Sequence, residues 1–143
     1  SCEWHGLRFL MEKLIISPTV FTPNVILDHE AGVFAIRGES RPQDAVEFYG
    51  QILAWMNDFS DRMISSPGMK APVIFDFSFD YFNSGSAKCI LDMCKILARL
   101  RTSEIETRVR WYYEKDDTDM LEAGSEMSQI VKFPFEYVET EQE

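Results

Sequence analysis

The hydrophobic and polar positions of the chain alternate most regularly just past its middle, over residues 73–80. One side of this segment is apolar and the other mostly polar, which is the period-2 pattern of a β-strand. The apolar side holds Val73, Phe75, Phe77 and Phe79, and the other side holds Ile74, Asp76, Ser78 and Asp80. Further on, apolar residues recur at helical spacing, at Ile90, Leu91, Cys94, Leu97 and Ala98. Residues 81–88 are therefore predicted to form a strand end, a tight turn and the N-terminus of a helix over about residues 85–100.

The beginning of the chain predicts short strands and a hairpin. Apolar runs at residues 14–16 and 25–27 are separated by two prolines, which favour an irregular connection. Residues 33–37 alternate after the turn-forming segment His29-Glu30-Ala31-Gly32. The second and third runs are therefore expected to pair as a hairpin.

A long helix is predicted to start at Ser40-Arg41-Pro42-Gln43. The serine is expected to cap the helix, the proline to occupy its first turn, and the glutamine to complete a capping box. Its buried stripe is expected to consist of Ala45, Val46, Tyr49, Ile52, Leu53, Met56 and Phe59.

The last third predicts a strand, a helix and a strand, over residues 108–113, about 118–130 and 131–138. Pro134 confines the last strand to an edge or a bulge. Strands that alternate with helices after an opening hairpin predict one α/β domain, with a mixed sheet, three helices and right-handed crossovers. Residues 1–10 differ from the later part of the chain, so we expect a leader or upstream extension there and a single domain over residues 11–143.

Charge and composition narrow the classes of function. Fourteen Lys and Arg residues against 24 Asp and Glu residues give a net charge of -10, which disfavours nucleic acid and anionic membranes as partners. No apolar run reaches the roughly 18 residues of a membrane span, so a cytoplasmic protein is expected. Three cysteines cannot all pair within one chain, and reduced thiols are expected. With only His5 and His29, of which His29 is expected to be a solvated turn residue, no metal or other cofactor is predicted.

The chemistry of the predicted turn centres on Ser84. A helix start presents unpaired N–H groups and positive potential, so a hydroxyl there can cap the helix, bind an anion or itself become phosphorylated. From the residues alone, capping is favoured over regulation. If Ser84 carries a phosphate, the N–H groups of Gly85, Ser86 and Ala87 are expected to face it, and Lys88 is one turn away.

Other clusters favour structural roles. The acidic residues between Glu114 and Glu122 lack the calcium-loop pattern and are expected to form a solvated loop and the first turn of a helix. Asp76 and Asp80 lie near the turn but have no phosphate-binding loop beside them. The aromatic residues at positions 48, 49, 55, 59, 82 and 111–113 follow the periods of their elements, so core packing is favoured over a ligand cage.

Several segments, in order along the chain, resemble the SiaC-type regulatory phosphoprotein family of bacteria. Those in the first half are Phe21-Thr22-Pro23, residues 32–38, Ser40-Arg41-Pro42 leading to Glu47-Phe48-Tyr49, and Ile52-Leu53-Ala54-Trp55. In the second half, Tyr81-Phe82-Asn83-Ser84-Gly85-Ser86-Ala87-Lys88 is similar to the family motif Tyr-Phe-Asn-Thr-Ser-Ser-x-Lys. Further similar blocks are Ile90-Leu91-Asp92, Trp111-Tyr112-Tyr113 and Asp119-Met120-Leu121-Glu122-Ala123-Gly124.

The resemblance implies a fold like that of STAS domains and a regulatory role without catalysis. It places the phosphoacceptor at Ser84, surrounded by Asn83, Gly85, Ser86 and Lys88, with serine replacing the family threonine and Gly85 replacing a serine. The implied partners are a cognate serine/threonine kinase, a PP2C-type phosphatase, and a diguanylate cyclase that is activated by the unphosphorylated form. Two other hypotheses remain open: a constitutive interaction module in which Ser84 only caps the helix, and a small hydrolase that uses the carboxylates.

Overall fold

Six strands and three helices make up the computed structural model, which describes residues 9–66, 68 and 71–141. The strands are β1 (Leu14–Ile16), β2 (Asn24–Asp28), β3 (Val33–Ser40), β4 (Val73–Phe82), β5 (Thr107–Glu114) and β6 (Glu136–Thr140). The helices are α1 (Ala45–Ser65), α2 (Ser84–Thr102) and α3 (Thr118–Val131). This order confirms the predicted α/β class and the three helices.

The six strands form one mixed sheet in the order of the sequence, β1-β2-β3-β4-β5-β6. The first three pair antiparallel, and β3 to β6 pair parallel. Each parallel pair is joined by one helix, and right-handed crossovers between successive neighbours place all their helices on the same face. The helices therefore form one layer, in which α1 contacts α2 and α2 contacts α3.

The core lies between this helix layer and the sheet. Its largest fully buried side chains are Trp111, Tyr49, Phe75, Phe77, Leu27, Ile36, Ile52, Met63, Ile90, Met93, Leu97 and Leu100. The predicted stripe of α1 is confirmed at Tyr49, Ile52, Met56 and Phe59, but it is wrong at Val46, whose exposed fraction is 78%. Val46 lies about 100° around the helix from Ala45 and so turns away from the sheet.

The predicted start of α1 is also wrong. Ser40 does not cap the helix, because β3 continues through it and pairs it with Phe82 of β4. The cap is Asp44, whose side chain accepts a hydrogen bond from the N–H of Glu47 at 3.1 Å. An aspartate cap four residues downstream thus does what the serine was expected to do.

The predicted last strand is too long at its N-terminal end. Helix α3 continues to Val131, and Lys132 ends it in a left-handed conformation with φ of 63°. Strand β6 therefore begins only at Glu136, after Pro134, and forms an edge of the sheet. The proline lies in the connection and not in the strand.

The N-terminal side of the domain includes two residues that are predicted above to belong to the extension. The ring of Phe9 stacks on His29 at a centroid distance of 4.5 Å and contacts the edge of Phe59. The carbonyl of Leu10 accepts a hydrogen bond from Arg62. His29 does lie in a turn, but it is half-buried between aromatic rings and not simply solvated.

Candidate functional site

The turn between β4 and α2 brings the candidate residues together. Asn83 has an extended backbone, and its side-chain oxygen accepts a hydrogen bond from the N–H of Ser86 at 2.9 Å. Asn83, and not Ser84, is therefore the cap of α2. Ser84 is the first helical residue, and it is exposed.

The unpaired N–H groups of this helix start differ from the expected set. Ser86 donates to the Asn83 side chain, and Ala87 donates to the Asn83 carbonyl at 3.0 Å. Of the first four N–H groups, those of Ser84 and Gly85 have no hydrogen bond to another described residue. The positive end of the helix is thus open next to the Ser84 hydroxyl.

Ser86, two residues further on, has the opposite environment. It is fully buried, and its hydroxyl lies 2.8 Å from the hydroxyl of Ser40 and 3.3 Å from the Ser40 carbonyl. The Ser40 hydroxyl in turn lies 2.7 Å from that of Tyr49. Burial raises the pKa of Tyr49 to about 12, against the opposing effect of its hydrogen bonds with Ser40 and Ser86. The phenol therefore stays protonated at neutral pH.

Gly85 fits the helix without using the freedom of a glycine, because it has no positive φ. A Cβ at this position would lie 3.4 Å from the Cβ of Ala45, which is an ordinary contact. The structure therefore has room for a Cβ at this position, and the backbone there does not require glycine.

A groove of about 1020 Å³ lies beside the turn. Its walls include Phe21, Arg41, Pro42, Phe48 and Asn83. The Asn83 side chain also donates to the Pro42 carbonyl at 3.4 Å, so the cap of α2 is part of the groove wall.

Lys88 is exposed and lies one turn after Ser84. Its ammonium group is 3.5 Å from the carboxylate of Asp92, one turn further along the same helix face. At such exposure this ion pair is weak, so the lysine can turn towards a charge at Ser84.

The candidate carboxylates are not assembled into a site. Asp76 is held by Arg110 through two hydrogen bonds of 2.6 and 3.0 Å, with Arg37 3.9 Å away. Asp117 caps α3 by accepting from the N–H of Met120, which confirms the structural role expected for the acidic run. Within the described residues, no group of three His, Cys, Asp or Glu side chains is placed to hold a metal ion.

Most of the aromatic residues and both cysteines of α2 belong to the core, as predicted, but Tyr112 does not, because it lies on the side of β5 opposite Trp111. Tyr49, Phe59 and Trp111 are buried, and Phe48, Trp55, Phe82 and Tyr113 pack against them. Cys89 and Cys94 are buried free thiols, and desolvation raises the pKa of both. Cys2 and His5 lie outside the described residues.

Two parts of this site do not follow from the sequence pattern. The pattern assigns Ser40 to a helix cap and Tyr49 to an apolar stripe, and it therefore misses their hydroxyl contacts with Ser86. It misses the groove as well. The one feature of the sequence that points to a role for Ser86 is its match to a serine of the family motif.

The fold and the site define a small α/β module with a capped helix start that exposes a single serine hydroxyl. The sequence matches the SiaC family of regulatory phosphoproteins over residues 16–140. The chain therefore belongs to the SiaC family, and it is a regulatory phosphoprotein and not an enzyme. No helix among the described residues is long and apolar enough to cross a membrane.

Relatives of known structure have the same fold. Apo-SiaC from Pseudomonas aeruginosa superposes with a TM-score of 0.76 at 27% identity, over 90% of this chain and 99% of that one. A chain in the crystal structure of diguanylate cyclase SiaD in complex with its activator SiaC, from the same species, superposes with a TM-score of 0.77 at 25% identity, over 89% and 99% of the two chains. The uncharacterized protein PA14_02130 of Pseudomonas aeruginosa strain UCBPP-PA14 is 27% identical over 87% of this chain and 94% of its own length.

Proposed function

We propose that this protein is a phosphorylation-controlled partner switch, with Ser84 as its phosphoacceptor. A cognate serine/threonine kinase adds the phosphate, and a PP2C-type phosphatase removes it. The unphosphorylated form binds and activates a diguanylate cyclase in the cytoplasm. Family membership and the similarity to SiaC, which is the activator of SiaD in that complex, support this assignment.

The observation that carries the proposal is the contrast between two neighbouring serines. Ser84 is exposed at the open start of α2, whereas Ser86 is fully buried with its hydroxyl in hydrogen bonds. A kinase reaches an exposed hydroxyl without unfolding the helix, and a buried one only after the helix start has opened. The site therefore offers one acceptor.

The transfer reaction makes one bond and breaks another. The γ-phosphorus of a nucleoside triphosphate in the kinase forms a bond to Ser84 Oγ, its bond to the bridging oxygen breaks, and the nucleoside diphosphate leaves. The hydroxyl proton passes to a base of the kinase. Removal by the phosphatase is hydrolysis: a water oxygen bonds to phosphorus, the bond to Ser84 Oγ breaks, and the serine regains a proton.

The phosphate acts on the surface of the domain and not on its fold. It adds about 1.5 to 2 negative charges and three acceptor oxygens, next to the unpaired N–H groups of Ser84 and Gly85. A negative charge at a helix start is favourable by about 0.3 to 1 kcal/mol, so the phosphorylated domain stays folded. A partner that covers the bare turn must then bury this charge, which opposes binding.

Intact mass measurement after co-expression with the cognate kinase tests the acceptor. The wild type should gain about 80 Da, the mass of one phosphoryl group, and Ser84→Thr should gain the same because it keeps the hydroxyl. Ser84→Ala should gain nothing. Ser65→Ala, which removes an exposed serine near the end of α1, is the matched control and should be phosphorylated normally. A phosphate mapped to Ser86 by peptide fragmentation would contradict the assignment.

A further inference from the structure

The residues on both sides of Ser84 form hydrogen bonds with the segment at Ser40 and Pro42. On one side, the N–H of Asn83 donates to the Ser40 carbonyl at 3.0 Å, and its side chain donates to the Pro42 carbonyl. On the other side, the hydroxyl of Ser86 contacts both the hydroxyl and the carbonyl of Ser40. Only Ser84 and Gly85, between these anchors, are exposed.

The buried hydroxyls of Ser40, Tyr49 and Ser86 form a chain of contacts that ends at the Ser40 carbonyl. This carbonyl can only accept a hydrogen bond, and that limits which hydroxyl donates to which. The Ser40 carbonyl has no proton, so the hydroxyl of Ser86 donates to it. Since each hydroxyl has one proton, all three contacts are hydrogen bonds at once only when Ser40 donates to Ser86 and Tyr49 donates to Ser40. Each hydroxyl of this chain donates once, and successive donors in one direction strengthen one another.

This chain joins three elements that are distant in sequence. Ser40 ends β3, Tyr49 lies in α1, and Ser86 is in the first turn of α2. All three residues are fully buried. The start of α2 is therefore attached to the sheet and to α1 by polar contacts that water does not reach.

We infer that Ser86, held by Ser40 and Tyr49, is a positioning residue for the phosphorylation of Ser84. This inference rests on the proposed function. Ser86 does not receive the phosphoryl group. It fixes the backbone of the first helical turn, so that the Ser84 hydroxyl is left with side-chain rotation as its main freedom. A fixed acceptor is aligned with the bond that breaks, and loss of such alignment lowers a rate even when binding is unchanged.

The test compares steady-state phosphorylation of Ser86→Ala, Tyr49→Phe and the double variant by the cognate kinase with Mg·ATP. Ser60→Ala is the matched control, because Ser60 is a fully buried serine of α1 whose hydroxyl has no hydrogen-bond partner among the described residues. Amide hydrogen exchange of residues 84–87 in the protein alone gives a second readout that does not depend on the kinase.

We expect Ser86→Ala to lower kcat about tenfold with KM nearly unchanged, and to speed amide exchange at residues 86 and 87. Tyr49→Phe removes the outer hydroxyl while keeping the ring, and it should give a smaller change in the same direction. The double variant should be no slower than Ser86→Ala alone, because the two hydroxyls act through one chain. Ser60→Ala should match the wild type in kcat.

Unchanged kcat in both Ser86→Ala and Tyr49→Phe would overturn the inference, as would an equal loss of kcat in Ser60→Ala. If Ser86→Ala fails to fold, Tyr49→Phe decides by itself. A wild type that the kinase does not phosphorylate at all would instead count against the proposed function, so the two failures are distinguishable.

Discussion

Three serines in the two long helices differ only in what surrounds their hydroxyl groups. Ser84 faces solvent at an open helix start, Ser86 lies in a buried hydroxyl chain, and Ser60 is buried without a hydrogen-bond partner among the described residues. The same side chain is thus a proposed modification site at Ser84, an anchor at Ser86 and an unsatisfied polar group at Ser60. Exposure and available partners decide between these roles, and a residue's type alone does not.

At the scale of single residues, the raised pKa of Tyr49 predicts that the stability of the domain depends on pH. Its pKa is about 12 in the folded chain, against an ordinary value of 10.0. Between these two values the unfolded chain releases the proton first, so the free energy of unfolding should fall as pH rises from about 10 to 12. The full loss is about 3 kcal/mol by linkage. Chemical denaturation at pH of about 9, 10 and 11 measures the first half of this loss.

Tyr49→Phe is the control for this effect, because it has no phenol to ionise. Its free energy of unfolding should be lower than that of the wild type near neutral pH and should decline less between pH of about 10 and 12. Parallel declines in the two proteins would assign the alkaline loss to other groups.

At the scale of the elements, helix α3 packs closely against strand β5, and a glycine in the sequence of α3 makes this contact possible. The indole of Trp111 is fully buried, and its N–H donates to the Met120 carbonyl of α3 at 2.9 Å. A Cβ built on Gly124 would lie 2.6 Å from this indole. The glycine lets the helix lie directly on the ring, which explains in physical terms why that position holds no side chain.

Gly124→Ala should therefore lower the free energy of unfolding, by about 1 to 3 kcal/mol for overpacking. Gly50→Ala is the matched control: it lies within α1, and a Cβ there meets nothing within 4 Å. That substitution should raise stability by up to about 1 kcal/mol, because alanine favours the helix. Denaturant titrations of both variants give the comparison, and equal stabilisation by the two changes would refute the packing contact.

For the whole molecule, the order of the strands places all three helices on one face of the sheet. The other face carries the Arg37, Asp76 and Arg110 group, in which the carboxylate is already paired. Ser84, the proposed phosphoacceptor, lies just after the end of β4 at the start of α2, beside the groove whose walls include Phe21 and Pro42. A charge added there changes the surface that a partner meets while the core is left intact.

Ser84→Asp should weaken binding to the proposed diguanylate cyclase partner while leaving the fold stable. We expect at least about a tenfold rise in Kd, since the interface must desolvate a carboxylate. The free energy of unfolding should change by less than about 1 kcal/mol, because a negative charge suits a helix start. The effect should be partial, as aspartate has less charge than a phosphate.

Calorimetric titration of wild type, Ser84→Ala and Ser84→Asp against the cyclase measures this switch, with thermal unfolding as the check on the fold. Adding Lys88→Ala to Ser84→Asp should weaken binding further, because the lysine is a nearby counter-charge. Equal affinities for the wild type and both serine variants, with the fold intact, would favour the constitutive interaction module.

The sequence by itself determined the α/β class, the strand and helix on either side of residues 81–88, and the serine between them. These come from periodicity, which is a local property: a period of two or of 3.6 specifies which side of an element is apolar. The resemblance to the family motif added the proposal that Ser84 is the acceptor, whereas the residues alone assign Ser84 to capping.

Only the tertiary structure decided which residues the two sides of each strand and helix contact. Ser40 extends β3 because its register partner is Phe82, and this pairing brings it to Ser86, 46 residues away. It also leaves capping of α1 to Asp44 and of α2 to Asn83. Contacts of this kind depend on strand register and helix placement, which no local pattern encodes. The exposure of Ser84 and the burial of Ser86 are therefore properties of the fold.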